Sequence, residues 1–290
     1  MIFDYFFWVV ALGTMILGFT AGVIGTTIVI EKQSQLGDTI GHAVYPGIIA
    51  AFMIFQTRKT IVLLAGAIVV GLIAFWLIQF IQKHTSFAFE SILALVLSSF
   101  FSLGLLLYSV VQNNPAFQTV NFAGLKNYIM GQAAYMVRSD VELIIMVCLI
   151  VLAIFILFYP KIKITLFDKV FAQSIGINQR RISQLLLLMS LFLIVVGLQA
   201  VGAILISSML VAPATAAKQW TNSYPKMLII SGLIGMVAAF IGTLISTYVS
   251  KIATGPMIVI VLSLISLFSI LLSPNGWLFS YFKHHKGGNV

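Results

Sequence analysis

Long runs of apolar residues dominate this chain and restrict it to one class of fold. Only 8% of its 290 residues are charged and 61% are hydrophobic. An α-helix needs about 20 mainly apolar residues to cross a bilayer, and in lipid it satisfies its own backbone hydrogen bonds. The sequence therefore predicts an all-α integral membrane protein, a polytopic helical bundle forming a single domain over 1–290. Nine apolar runs can be delimited, at about 3–30, 37–56, 60–82, 90–111, 140–159, 182–200, 202–217, 226–250 and 256–273.

The number of spans depends on the stretch 182–217, which is too long for one ordinary transmembrane helix. Dividing it near Gln199–Gly202 gives nine spans, and leaving it whole gives eight. With nine spans and an outer N-terminus, eleven Lys and Arg residues fall inside and five outside. With eight spans the balance becomes eight inside and eight outside. Because basic residues concentrate in cytoplasmic loops, we predict about eight to nine helices, with nine favoured, the N-terminus outside and the C-terminus inside.

The remaining composition excludes several kinds of function. The net charge of +9 resides in short loops that set orientation, so it does not indicate a nucleic-acid partner. Cys148 is the only cysteine, which excludes a disulfide framework or a thiolate cluster within one chain. The polar stretch Gln112–Arg138 is predicted at the membrane surface, and a polar tail is predicted at 281–290 with His284 and His285.

A carboxylate and an imidazole interrupt the second apolar run. Asp38 and His42 stand four residues apart, so on a helix they share a face. Ionisable residues inside a membrane span are costly and mark functional sites by default. One oxygen and one nitrogen ligand on one face can bind a first-row divalent cation. The alternative is that Asp38 caps the helix and His42 is hydrogen-bonded nearby.

One such pair leaves most of a cation's coordination shell open. Either water and other residues complete the shell, or a two-fold dimer brings two pairs together. The sequence leaves both possibilities open. His84 and Glu90 flank a short predicted connector and are interpreted as solvated loop residues, with a place on a metal exit path as the alternative.

A basic segment near the middle of the chain carries a second pattern. Phe167, Phe171 and Ile175 recur at intervals of four, which predicts a short surface helix at about 165–176. Gly176 is a suitable helix stop. The helix is either a connector lying against lipid headgroups or a docking element for a cytoplasmic partner.

Small residues and prolines mark further positions in the apolar runs. Gly18 and Gly22 form a GxxxG pattern that allows close helix packing, within the fold or at a dimer interface. Pro46 and Pro213 should break or kink their helices, and broken helices often line translocation paths.

Four motifs, in order along the chain, resemble the ABC-3 family, the membrane permease subunits of ABC importers for manganese, zinc and iron. The first, Leu-x-Gly-Asp-x-x-x-His-Ala-x-x-Pro-Gly, is present as Leu36, Gly37, Asp38, His42, Ala43, Pro46 and Gly47. The second, Phe-Asp-x-x-x-Ala-x-x-x-Gly, is present as Phe167, Asp168, Ala172 and Gly176. The third is present as Val201, Gly202, Leu205, Met209, Leu210, Pro213, Ala214 and Ala217, and the fourth as the turn Thr254-Gly255-Pro256.

The chain also departs from the family pattern at three places. Glu31-Lys32-Gln33 stands where the family usually carries arginines, just before the first motif. Gly41 replaces a frequent serine and Tyr45 a frequent leucine. Neither of the last two changes alters Asp38 or His42, but both are close enough to affect access to them.

The resemblance implies the permease of an ATP-driven importer in a bacterial plasma membrane. It implies a cytoplasmic ABC ATPase, an extracytoplasmic metal-binding protein, and a second permease copy or a paralogue forming a dimer. The permease itself is then not an enzyme, and the chain indeed lacks a Gly-Lys dipeptide and hence a Walker A motif. The implied roles are metal passage at Asp38 and His42, ATPase coupling at Phe167, Asp168, Phe171, Ala172 and Gly176, and a structural or pathway role at Gly37, Pro46, Gly47, Gly202, Pro213, Gly255 and Pro256.

No permanently bound cofactor is expected, because the metal is the transported ion. Asp38 and the lack of thiolates favour Mn²⁺, with Zn²⁺ and Fe²⁺ still open. An alternative function is an ion-coupled secondary metal transporter without an ATPase partner, with Asp38 as a proton or Na⁺ site. An intramembrane enzyme is a third class, but the chain has no GxSxG or HExxH motif to support hydrolysis.

Overall fold

Helices account for the regular structure of the computed structural model, which describes residues 5–57, 59–114, 138–249 and 253–273. No strand occurs in these ranges, so the predicted all-α class is confirmed. The tail at 281–290 lies outside the described residues, as does the polar stretch Gln112–Arg138 apart from its two ends. The helices are α1 Tyr5–Ile30, α2 Leu36–Ala43, α3 Tyr45–Phe55, α4 Thr60–His84, α5 Phe89–Asn113, α6 Arg138–Phe167, α7 Lys169–Ser174, α8 Gln179–Val201, α9 Ala203–Trp220, α10 Tyr224–Tyr248 and α11 Thr254–Leu272.

Eight helical segments of the described chain are long and apolar enough to cross a membrane. One of them, Leu36–Phe55, combines α2 and α3. The 18-residue helix α9 follows α8 directly and packs among these spans. Gly202 separates α8 from α9 with a φ of 87°, a left-handed value that favours glycine. The predicted division of the run 182–217 is therefore confirmed.

One helix is much longer than the sequence predicted. The expected span ended at 159, but α6 has 30 residues and continues to Phe167. Pro160 lies inside this helix without ending it. At 1.5 Å per residue α6 is about 45 Å long, against about 30 Å of bilayer hydrocarbon. One end of α6 therefore extends beyond the apolar layer and carries the segment that follows it.

Four basic residues that the sequence assigned to the inner side lie together. Lys32, Lys83, Lys169 and Arg180 line one cavity of about 560 Å³, called here the basic cleft. They come from the α1–α2 loop, the end of α4, α7 and the start of α8. Glu31 also lines the basic cleft, where burial raises its pKa and the nearby Lys169 acts in the opposite direction. These loops and helix ends share one end of the bundle, as the predicted orientation requires.

The Gly18–Gly22 pattern serves packing inside the fold. A Cβ at Gly18 would lie 2.5 Å from the carbonyl oxygen of Gly235, and one at Gly22 would lie 2.4 Å from that of Ser231. The hydroxyl of Ser231 donates to the Gly22 carbonyl at 2.7 Å. Helices α1 and α10 therefore touch backbone to backbone, and of the two uses that the sequence left open the internal one is observed.

This contact predicts a clear effect on stability. Gly18→Ala should lower the free energy of unfolding by about 1–3 kcal/mol, because the new methyl group meets backbone atoms that cannot rotate away. Gly41→Ala is the matched control, since its Cβ would find its nearest neighbour at 3.4 Å. Thermal unfolding of the two purified variants in the same detergent measures the difference. Equal midpoints would contradict the close α1–α10 packing.

Candidate metal site

The helix that carries the candidate ligands is interrupted near the first of the two prolines. α2 ends at Ala43 and α3 begins at Tyr45, with Pro46 in the first turn of α3. Proline has no N–H to donate, which favours a helix start at this position. The predicted break at Pro46 is therefore confirmed. By contrast α9 continues through Pro213 from Ala203 to Trp220 without a break.

Asp38 and His42 meet on one face of α2. The Oδ1 atom of Asp38 lies 3.4 Å from the Nε2 atom of His42. The side chain of His42 is 15% exposed, whereas that of Asp38 is 49% exposed. Asp38 is inside the first turn of α2, and the N-cap is Gln35, which makes no side-chain capping bond. The capping role that the sequence left open for Asp38 is thus not observed.

The His42 ring is held by an aromatic neighbour on another span. Its centroid lies 4.8 Å from that of Phe101 in an edge-to-face arrangement. Phe101 in turn lies 6.1 Å from the ring of Tyr45. Phe101 is the midpoint of α5, which runs from Phe89 to Asn113. The His42 ring is therefore level with the middle of α5.

Two glycines bring α2 against α9. A Cβ at Gly37 would lie 3.1 Å from a Leu210 methyl group and 3.2 Å from the Cα atom of Ser207. Gly41, one turn later, faces Ala203 at an ordinary contact distance, with 3.4 Å from its Cβ position to the Ala203 carbonyl oxygen. Two motifs that are far apart in the sequence therefore form one contact. Small residues make this possible because they let helix backbones approach closely.

The other glycines of the motifs also mark close helix contacts. A Cβ at Gly47 would lie 2.3 Å from the carbonyl oxygen of Gly66, so α3 and α4 touch. A Cβ at Gly255 would lie 3.0 Å from the carbonyl oxygen of Val201, next to Pro256 at the start of α11. These residues hold the helices around the pair rather than contribute ligands.

The pair supplies only part of a coordination shell. Within the described ranges no three or more His, Cys, Asp or Glu residues form a group that could hold a metal ion. Divalent transition metals take about four to six ligands. Cys148 lies buried on α6, and His84 and Glu90 stand at the two ends of the α4–α5 connector. The half-exposed Asp38 carboxylate can be reached from outside its own chain.

The short helix predicted at about 165–176 is present but begins later. Phe167 is the last residue of α6, and Asp168, with extended backbone dihedrals, is the N-cap of α7 at Lys169–Ser174. The Asp168 Oδ1 atom accepts the backbone N–H of Phe171 at 2.8 Å. Phe167 and Phe171 therefore belong to different helices, because the capping carboxylate starts a new helix between them.

Two of the exposed residues of α7 are large and apolar. Val170 is 80% exposed and Phe171 51%, while Ala172 is fully buried. Gly176 follows with a φ of +79°, which no other residue type adopts as easily at a helix end. Phe167, Asp168 and Phe171 line one shallow cavity of about 490 Å³ despite their different helices. The junction of α6 and α7 therefore places Phe167 and Phe171 side by side around the N-cap Asp168.

Comparisons with known proteins agree along almost the whole chain. The model of the ABC 3 transport family matches residues 3–273. The zinc transport system membrane protein TroC of Treponema pallidum is 38% identical over 271 residues, 93% of this chain and 90% of that protein. The manganese transport system membrane protein MntC of Bacillus subtilis is 36% identical over 267 residues, 92% of this chain and 60% of that longer protein.

A solved structure shares the same fold. PsaBC from Streptococcus pneumoniae, determined in complex with a Fab, superposes with a TM-score of 0.80 at 27% identity, covering 94% of this chain and 93% of that one. The apolar helices and these relatives identify a multi-pass protein of the bacterial plasma membrane. Since the family model matches almost the full length, this chain is a membrane permease that belongs to the ABC 3 transport family.

Proposed function

We propose that this protein is the permease of an ATP-driven importer of divalent transition metal ions, and that the ion crosses the membrane past Asp38 and His42. The observation that carries the proposal is the 3.4 Å approach of a carboxylate and an imidazole on a membrane-spanning helix, level with the middle of α5. Relatives named for zinc and for manganese transport support metal import in general.

Manganese is the preferred ion in this proposal. A carboxylate oxygen suits Mn²⁺, imidazole is shared by Zn²⁺ and Fe²⁺, and thiolates select the softer metals. Asp38 supplies the oxygen, and Cys148 is buried on a different helix, so thiolate ligation within one chain has no support. The preference for manganese is tested by measuring uptake of labelled manganese, zinc and iron in cells that lack the gene, before and after complementation. Faster restoration of zinc uptake than of manganese uptake would reverse it.

We further propose that a second permease, identical or paralogous, completes the coordination shell. The exposure of Asp38 supports this, since the carboxylate is not covered by its own chain. Two pairs related by a two-fold axis supply four protein ligands, and water fills the rest. Binding should be only moderately tight, because a transported ion must also leave. One bound ion per two permeases is the expected stoichiometry, and one ion per permease would favour completion by water alone.

The energy comes from a separate ATPase chain in this proposal, and an extracytoplasmic protein delivers the metal. The sequence has no Walker A motif, and α7 exposes the apolar side chains of Val170 and Phe171, which a cytoplasmic partner can contact. Purification from the native membrane should recover an ATPase in fixed ratio to the permease. Uptake that stops with an uncoupler but continues without ATP would instead indicate an ion-coupled secondary transporter.

Acid should weaken metal binding at the proposed site. A protonated imidazole has no lone pair for a metal, so protons and metal compete for His42. We expect site occupancy to fall as the solution is made more acidic. Equilibrium binding of manganese to the purified protein measures this. The variant His42→Ala should bind more weakly and lose most of the pH dependence, and an unchanged profile in wild-type protein would exclude His42 as a ligand.

A further inference from the structure

The last turns of α4 carry an exposed aromatic ladder. The rings of Trp76 and Phe80 stack with centroids 5.3 Å apart, and the ring of His84 follows 4.4 Å from that of Phe80. Trp76 is 62% exposed and Phe80 46% exposed. The Nδ1 atom of His84 is hydrogen-bonded to the Phe80 carbonyl at 2.8 Å, which fixes the imidazole at the end of the ladder. Exposed aromatic residues at the end of a span are typical of the membrane–water interface.

A cavity of about 280 Å³ opens between this ladder and the start of α8, and is called here the aromatic groove. The apolar lining residues, called here the apolar wall, are Phe75, Trp76 and Phe80. The polar lining residues, called here the polar wall, supply the amides of Gln79 and Gln184, the cations of Lys83 and Arg180 and the imidazole of His84. None of the described residues that line the aromatic groove is acidic.

The charge continues into the neighbouring basic cleft. The two cavities share Gln79, Lys83 and Arg180. The basic cleft adds the cations of Lys32 and Lys169 against the single carboxylate of Glu31. The polar end of the aromatic groove is therefore strongly cationic, while its other end leads onto the apolar face of α4.

We propose that the aromatic groove binds an anionic phospholipid of the cytoplasmic leaflet. Lys83 and Arg180 hold the phosphate, Gln79 and Gln184 donate further hydrogen bonds, and an acyl chain lies along Trp76 and Phe80. A cationic pocket between helices at this level fits an acidic lipid headgroup. The long side chains reach the headgroup while their stems remain in apolar surroundings.

The adjoining apolar wall favours a lipid over a free anion. A soluble phosphate would use the cations alone and would leave the stacked rings exposed. A phospholipid uses both walls at once, because its phosphate and its acyl chains are joined. The site is distinct from the Asp38–His42 pair, which lies on α2.

Lipid retention tests the proposal directly. The protein, purified in a mild detergent with the subunits that stay attached, is titrated with phosphatidylglycerol, with phosphatidylethanolamine and with inorganic phosphate, and bound molecules are counted by native mass spectrometry. We expect preferential retention of phosphatidylglycerol, and about tenfold weaker binding of it to a double variant Lys83→Gln with Arg180→Gln. Lys226→Gln, an exposed basic residue near the start of α10 outside both cavities, is the matched control and should bind as wild type.

A second variant tests the apolar wall. Trp76→Ala with Phe80→Ala should weaken retention of both phospholipids, whereas Phe268→Ala, equally exposed on α11, should not. Equal retention of the two lipids by the wild-type protein would overturn the headgroup assignment. The same conclusion would follow if the double variant Lys83→Gln with Arg180→Gln retained as much phosphatidylglycerol as Lys226→Gln does.

Two further outcomes would identify a different occupant. Displacement of phosphatidylglycerol by inorganic phosphate, with no effect of removing the rings of Trp76 and Phe80, would identify a free-anion site instead. Absence of any retained lipid from the assembled transporter would show that protein covers the groove.

Discussion

Asp38→Asn and His42→Ala should each reduce metal uptake to the background of cells that lack the protein. Each variant removes one of the two proposed ligands, and the described residues contain no group of three or more His, Cys, Asp or Glu that could replace it. Loss of a ligand from so incomplete a shell leaves too little binding to capture the ion during transport. Uptake of labelled manganese, normalised to the amount of permease in the membrane, measures the effect.

Two other residues provide matched controls for these variants. Glu90→Gln removes a carboxylate and His84→Ala an imidazole, both at exposed ends of the α4–α5 connector. Both controls should keep uptake near the wild-type level if these residues are solvated rather than part of an exit path. Near-normal uptake by Asp38→Asn and His42→Ala at equal expression would remove the proposed site. Normal thermal midpoints in all four variants ensure that folding does not explain a loss.

The fold follows closely from the sequence because membrane helices depend on local properties. Length and apolarity are sufficient to identify the spans. The division at Gly202 was predictable because the run 182–217 is too long for one helix and contains a glycine near its middle. The shared face of Asp38 and His42 was predictable from the helical period alone.

Helix ends and tertiary contacts were harder to predict from the sequence. The sequence predicted one helix through Phe167 and Phe171, although Asp168 followed by Lys169 is a recognisable helix start. The extension of α6 past Pro160 depends on packing, which overrides the preference of that residue. The contact of Gly37 with Ser207 and Leu210 joins distant motifs, and one sequence offers no signal for it. The contact of His42 with Phe101 at the middle of α5 likewise had no signal in the sequence.

Coupling to the ATPase should depend on the surface formed by Phe167, Asp168 and Phe171. α6 extends beyond the apolar layer, so the phenylalanines at its end and on α7 face the aqueous side or the headgroups. An exposed aromatic pair on a capped helix fits a helix-in-groove contact with a partner. Such aromatic anchors often contribute about 2 kcal/mol or more each to binding. The double variant Phe167→Ala with Phe171→Ala should therefore weaken ATPase association by at least about tenfold.

The two phenylalanines differ in what else they support. The ring of Phe167 lies 5.6 Å from that of Tyr224, whose hydroxyl is hydrogen-bonded to Thr27 at 2.9 Å. Its removal can thus disturb the packing of α1 and α10 as well as docking. Phe171→Ala alone is therefore the more specific test of docking, and Phe268→Ala on α11 is again the control.

Three measurements together separate docking from a purely membrane-surface role for α7. Co-purification of the ATPase and metal uptake should fall in parallel in Phe171→Ala and further in the double variant. Metal binding at Asp38 and His42 should stay unchanged, because the pair lies on α2 against the middle of α5 and not on α7. If α7 only rests on lipid headgroups, the variants should instead insert less well while the ATPase stays attached. Full retention of the ATPase by a double variant with a normal thermal midpoint would exclude the docking role, since neither ring would then contribute to the contact.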